Sequence, residues 1–270
     1  MHEFVDETFQ LDSSGEKILS IQASLNGFSF SIICPDQNKL LYFKSTELKI
    51  STENLMSRHF ESWFAEEAVL QNNFKKVVLF YHSGNLTLVP DHLFDSDSKN
   101  ELPTLLFDNN ENLSWVNNSV GQINAHLLFT IPEAFQQTIN KYFPTAQITH
   151  PLKPLIAKNE DSGAGQNLML LFGTNHFSVA LSNDNKLEMV NHFSFKHPND
   201  VVYFILTILR QFKLAPGNIQ TFYAGDMDAH NGLEDLLKKH FPNSAEIQAN
   251  IATPPFLDKL LITKNISLFL

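Results

Sequence analysis

The chain has 270 residues, enough for one large domain or two ordinary ones, and its 43% apolar content with 24 Phe can fill sizeable cores. A formal charge of −10 argues against nucleic acid or an anionic membrane as the main partner, because both need clustered Lys and Arg. The single cysteine, Cys34, excludes an internal disulfide and suits a reducing compartment. The acidic start, Met1 to Thr8, does not read as a signal peptide, and the longest apolar run, 201–209, is too short to span a bilayer. The expectation is a cytoplasmic protein without membrane insertion.

In chain order, an edge strand is expected around 4–11, then short strands at 18–24, 28–34 and 39–44. Asn26-Gly27 is a two-residue hairpin signal, and Pro35 to Asn38 forms the next turn. Residues 51–72 read as one helix capped by Ser51 or Thr52, with Leu55, Met56, Phe60, Phe64 and Ala68 on its apolar face. Strands follow at 77–81 and 85–89, then a turn or short helix at 90–94. Residues 95–112 are polar and turn-rich, with a helical turn expected at 103–107. Further strands fall at 114–117 and 123–130, a helix runs from Pro132 to Tyr142, a short strand covers 146–149, and 154–158 is helical. Asn159 to Gln166 is the best linker in the chain.

The second half opens on three consecutive antiparallel strands within 168–195. The first, 168–172, is apolar without alternation and so is expected to be buried on both faces. Gly173-Thr174-Asn175 makes one turn and Asn183-Asp184-Asn185 the next. A helix from Pro198 to about Phe212 is apolar almost all round. A strand at 219–223, a turn at Ala224-Gly225-Asp226, an amphipathic helix at 233–240 and a short strand at 246–249 complete the pattern. Pro254-Pro255 breaks the chain before a last helix or strand.

The halves share one element order: three strands, a helix, a strand. Aligning Leu19 with Leu168 also aligns Phe28-Ser29 with Phe177-Ser178. Lys39-Leu40 matches Lys186-Leu187 after a two-residue loop difference. This duplicated order resembles the actin-like ATPase (ribonuclease H-like) fold. So do Leu86 to Phe94, similar to a recurrent strand-Val-Pro-turn, and 219–241, similar to the adenosine segment. The strand-Pro-helix of 127–143, with Phe143 to Ala146 and His150 beyond, resembles an uncharacterised bacterial family of about this length with that fold. The resemblance implies two lobes with mixed five-stranded sheets flanked by helices. The first lobe would cover 1–158 with a small insertion around 95–125, and the second 167–270 after the linker at 159–166.

It also implies where chemistry would sit. In such ATPases an Asp-x-Gly ends the first strand of each half and positions Mg²⁺ and water. Here the matches are Leu171-Phe172-Gly173 and Gln22-Ala23-Ser24, neither with the aspartate. No catalytic or metal-binding residue is therefore assigned. Any retained ATP or ADP is expected to bind weakly between Gly173, Thr174, Asn175 and Ala224, Gly225, Asp226, near Lys186. Asp226 and Asp228 with His230 could hold a metal, but a solvated turn is the plainer reading. His176, His192 and His197 read as outward-facing polar residues. Gly-x-Ser-x-Gly, His-Glu-x-x-His and P-loop motifs are all missing from the sequence. The expected role is a non-hydrolysing module with a protein partner; the alternative is an ATPase or small-molecule kinase using Asp226 or Asp108.

Overall fold

The computed structural model describes residues 2–10, 16–94, 112–159, 165–184, 186–227, 230–253, 257 and 259–269. The expectations for 95–111, for 160–164, for Asn185, Asp108 and Asp228, and for Pro254-Pro255 fall outside the described residues.

The first sheet is built from β1 (His2–Val5), β2 (Ile18–Ser24), β3 (Gly27–Cys34), β4 (Lys39–Glu47), β5 (Lys76–Tyr81) and β9 (Gln147–Thr149). Its order is β1-β4-β3-β2-β5-β9. The second sheet is built from β10 (Gln166–Phe172), β11 (His176–Asn183), β12 (Lys186–Ser194), β13 (Gln220–Gly225) and β14 (Ser244–Glu246), in the order β12-β11-β10-β13-β14. A separate three-stranded sheet, β6 (Leu86–Pro90), β8 (Ala125–Pro132) and β7 (Leu113–Val120), forms within the first half. Helices flank the sheets: α1 (Met56–Glu66), α2 (Glu133–Tyr142), α3 (Leu152–Asn159), α4 (Pro198–Gln211), α5 (Leu233–His240) and α6 (Lys259–Lys264).

Five strands of the first sheet repeat the second in order and in register. Leu19 pairs with Ile32 as Leu168 pairs with Leu181. β2 runs parallel to β5 as β10 runs parallel to β13. Both outer hairpins slip register at the same place. Tyr42 faces Ile32 and Leu40 faces Ile33; in the second sheet Met189 faces Leu181 and Leu187 faces Ser182. An extra residue at one point of a ladder increases local twist, so the two sheets curve alike. The first sheet has six strands rather than five because β1 adds to its edge beside β4. β1 is shorter than expected: the chain turns at Asp6, whose carboxylate accepts the Thr8 N–H and pairs with Lys39 at 2.7 Å.

Sequence pattern explains most of the packing. β10 is buried along 167–172, as an apolar run without alternation requires. α4 reads as apolar almost all round, yet it lays Val201, Val202, Ile205, Ile208 and Leu209 on the second sheet and leaves Tyr203 exposed on the other side. Asp200 caps it by accepting the His197 N–H at 2.9 Å. α1 packs on the first sheet through Phe60 against Phe28, and on α2 through Phe60 with Phe135 and Phe64 with Tyr142. The end of the chain returns to the first lobe: Leu268 and Phe269 are buried in a cluster with Phe43 and Phe80.

Two local expectations shift. The helix expected over 51–72 is three pieces, a 3-10 turn at Glu53–Leu55, α1, and a second 3-10 turn at Ala68–Gln71. It breaks at Glu67, whose carboxylate pairs with buried Lys44 of β4 at 2.7 Å. The buried face is Met56, Phe60 and Trp63, with Leu55 and Ala68 exposed. The first hairpin turns on Leu25-Asn26, one residue earlier than Asn26-Gly27, because Ser24 pairs with Gly27. Gly27 is still required: its φ is +123°, and a Cβ there would meet the Thr46 carbonyl oxygen at 2.2 Å.

Candidate functional site

The parallel strands at the centre of each sheet aim their C-terminal ends at one junction between the lobes. That is where ligands bind in open α/β sheets. β2 ends at Ser24 and β10 at Phe172, each followed by a tight turn. β13 runs beside β10 with Gly225 opposite Phe172, so Asp226 emerges next to the Gly173 turn and donates its N–H to the Phe172 carbonyl at 2.9 Å. In the first sheet Ala23 faces Tyr81, which places His82 where the second sheet has Asp226.

These ends enclose a cavity of about 80 Å³. Five of the six residues expected around a retained nucleotide, Gly173, Thr174, Asn175, Gly225 and Asp226, line it. Ala224 does not; it is fully buried beneath the cavity, facing Leu171. Lys186 is not near either turn. It pairs with Asn183 at the far end of the hairpin and lies 3.8 Å from Glu188. The cation at the site is Lys264, at the end of α6, with its Nζ 3.8 Å from Asp226 Oδ1.

The polar groups of the cavity bind each other. Asn26 Nδ2 donates to Thr174 Oγ1 at 2.9 Å and also to Asp226 Oδ2, tying the first-lobe turn to both second-lobe turns. Asp226 is 8% exposed, so it is not the solvated turn residue that its neighbours suggested. Its possible metal partner His230 packs against Phe195 instead, and no group of three metal-ligating side chains forms among the described residues. Glu53 accepts from the Tyr81 hydroxyl at 3.2 Å. Burial and Glu53 together push that hydroxyl's pKa well above its usual value.

The two positions where the resemblance puts carboxylates are used for packing. Leu171 is buried between Ala224 and Ser178. Gln22 holds the returning chain: its Nε2 donates to the Lys264 carbonyl at 3.1 Å, and its Oε1 accepts from Ser267 Oγ at 2.8 Å. Ser29 extends the grip by donating to Asn265 Oδ1 at 2.5 Å.

The two glycines serve the protein itself. A Cβ on Gly173 would meet the His176 ring at 2.5 Å, so the missing side chain makes room for that imidazole. A Cβ on Gly225, at φ +104°, would meet the Phe172 carbonyl oxygen at 2.1 Å. The close approach is of backbone to backbone.

Beside the cavity lies a feature that sequence reasoning missed. His82, His150, His176 and His192 gather into one stack of edge-to-face and tilted rings. His176 and His192 are not outward-facing. Burial holds all four imidazoles neutral: it lowers His176 to about 4 and His150 and His192 to about 3, and places His82 well below its usual value. The expected elements carried a signal for two of them, since His176 follows the turn at 173–175 and His82 follows the strand at 77–81.

Comparison with solved structures places this architecture. A protein with actin-like ATPase fold and unknown function from Bacteroides thetaiotaomicron superposes with a TM-score of 0.79 at 21% identity, covering 89% of this chain and 94% of that one. A chain of the PilM-PilN type IV pilus biogenesis complex superposes with a TM-score of 0.57 at 12% identity, covering 95% of this chain and 97% of that one. At these identities the likeness shows the fold, which is the actin-like ATPase fold. No functionally curated protein matches the sequence. Residues 6–244 match the family described as "Protein of unknown function (DUF3822)", and the chain belongs to that family.

Proposed function

We propose that the protein is a cytoplasmic, non-hydrolysing actin-like module that works by binding another protein. The observation that carries this is the self-occupied cleft. Asn26 bridges Thr174 and Asp226 across a cavity of about 80 Å³. Pockets for drug-sized ligands and cofactors run to roughly 300–1,000 Å³. Phosphoryl transfer relies on metal ions and positioned carboxylates to neutralise charge, and Leu171 and Gln22 supply neither. The negative charge and the single cysteine favour a protein partner in a reducing compartment over nucleic acid or membrane. A fold neighbour occurring in the PilM-PilN complex is consistent with a role in assembly.

Asp226 favours one second reading, since it is a carboxylate at the cleft beside Lys264. An ATPase or small-molecule kinase could use it as a non-standard Mg²⁺ ligand. Steady-state ATP turnover with Mg²⁺ separates the two. The expected result is no release of phosphate above background. A rate saturable in ATP and lost in Asp226→Ala would establish the enzyme reading instead.

A further inference from the structure

The histidine stack crosses the lobe junction. His82 follows β5 and His150 follows β9 in the first lobe; His176 and His192 belong to β11 and β12 in the second. Ring centroids lie 4.5 Å apart for His82 and His176, 5.3 Å for His82 and His150, and 4.9 Å for His176 and His192. The Ser178 hydroxyl sits between the lobes, 3.3 Å from His82 Nε2 and 3.4 Å from His192 Nδ1. Its single proton can serve one ring at a time. His150 is fully buried; its Nδ1 accepts the Leu152 N–H at 3.2 Å, so its one proton belongs on Nε2, 3.4 Å from the Ser83 carbonyl. A second proton on that ring would break the bond from Leu152.

Neutral groups make the nearest contacts to these rings. Phe129 packs on His150 from β8, Gly84 approaches His192 before β6, and Asn175 meets His176 Nδ1 at 3.1 Å from the turn before β11. The charged groups lining the adjoining cavity are Glu53 before α1, Asp226 after β13 and Lys264 of α6. Glu53 is engaged by Tyr81, and Asp226 by Asn26 and Lys264. Among the described residues no carboxylate forms an ion pair with any of the four rings.

We propose that the stack is a proton-operated latch on the lobe junction: neutral rings hold the cleft shut, and their protonation in mild acid loosens the junction and opens the cavity that His82 and His176 line. Packed rings take up protons less readily than free imidazole, whose pKa is about 6.5. The loosened form therefore gains protons as pH falls below that value, and the bias grows until the packed rings themselves titrate. Above about pH 6.5 the latch is fully engaged. Each lobe keeps its own sheet, and α3 packs on β10 and β11, so a contact between the lobes remains when the stack loosens. The latch does not depend on what the cleft binds.

Amide hydrogen exchange on the full chain, corrected for the pH dependence of chemical exchange, tests it at pH 7.5 and pH 5.0. Amides at 82–84 and 173–178 should lose at least about tenfold in protection at the lower pH, while those of β3 and the middle of β10 keep theirs. The double variant His82→Gln with His192→Gln should flatten that difference. Histidine C2–H titration of the unaltered protein provides a second readout that does not depend on the variant folding. Rings that titrate near 6.5 with no change in junction protection would overturn the proposal. So would loss of protection in junction and sheet cores together, which is global unfolding.

Discussion

The two sheets agree where they are dry and differ where they meet the cleft. Their strand order, register and the slip in the outer hairpin coincide residue for residue. Their cleft ends share almost nothing: Ser24 to Gly27 against Gly173 to His176, Tyr81 against Gly225, His82 against Asp226. Apolar volume and ladder geometry constrain the interior of both sheets alike. At the junction each end must fit the opposite lobe, and the two halves have taken complementary rather than equivalent residues. Asn26 from one lobe satisfies Thr174 and Asp226 from the other.

The comparison breaks hardest at Gly225. Its counterpart in the first sheet is a tyrosine, yet a Cβ at Gly225 would stand 2.1 Å from a backbone oxygen at a positive φ. Gly225→Val should cost more than about 4 kcal/mol, enough to prevent accumulation of folded protein. Denaturant unfolding or expression level would show it. A folded, near-native variant would mean that the second sheet tolerates what the first one carries.

The next effect is on pH. Because burial lowers the four stacked imidazoles, the unfolded chain binds more protons than the native one below about pH 6.5. Stability from these groups is therefore full above that pH and is lost as pH falls towards the native values of about 3 to 4. Each titrating ring contributes on the order of 1 kcal/mol per pH unit. Unfolding free energy measured by denaturant titration should drop steeply between pH 6.5 and 5. A flat profile would show that the rings are solvated.

Asn26→Ala should follow, at about 1–2 kcal/mol. It removes a donor from Asp226, which is 8% exposed, whereas Thr174 is exposed and can bond water instead. The smallest effect is expected at Gly217, where an added Cβ meets nothing within 4 Å; Gly217→Ala should stay within about 0.5 kcal/mol. The spread from Gly225 to Gly217 measures how far tertiary contact, rather than residue type, determines the cost.

Much of the fold was legible in the sequence because it rests on local pattern. The run at 168–172, the strands at 18–24 and 77–81 and the helix at 233–240 declare themselves by periodicity and by flanking turns. The helix over 51–72 was misread because its break at Glu67 depends on Lys44, a partner in another strand. The site was half legible. Turn residues Gly173, Thr174, Asn175, Gly225 and Asp226 follow strand ends, and the resemblance to the actin-like fold sets both turns at the cleft, where they line the cavity. Lys264, and the hold of Gln22 on the chain end, could not be read that way, because the chain end returns to the first sheet only through tertiary packing. The histidine stack draws on four separate segments, and no local pattern links them.

The central claim is that the cleft is closed by its own side chains. Thermal shift with ADP and Mg²⁺ tests it most directly, since a ligand stabilises by an amount set by its concentration relative to Kd. With affinity no better than about millimolar, roughly −4 kcal/mol, 0.1 mM ADP should leave the midpoint unchanged. A saturable rise at that concentration, reduced by Thr174→Val, would show that the cleft opens readily to nucleotide and would contradict the account.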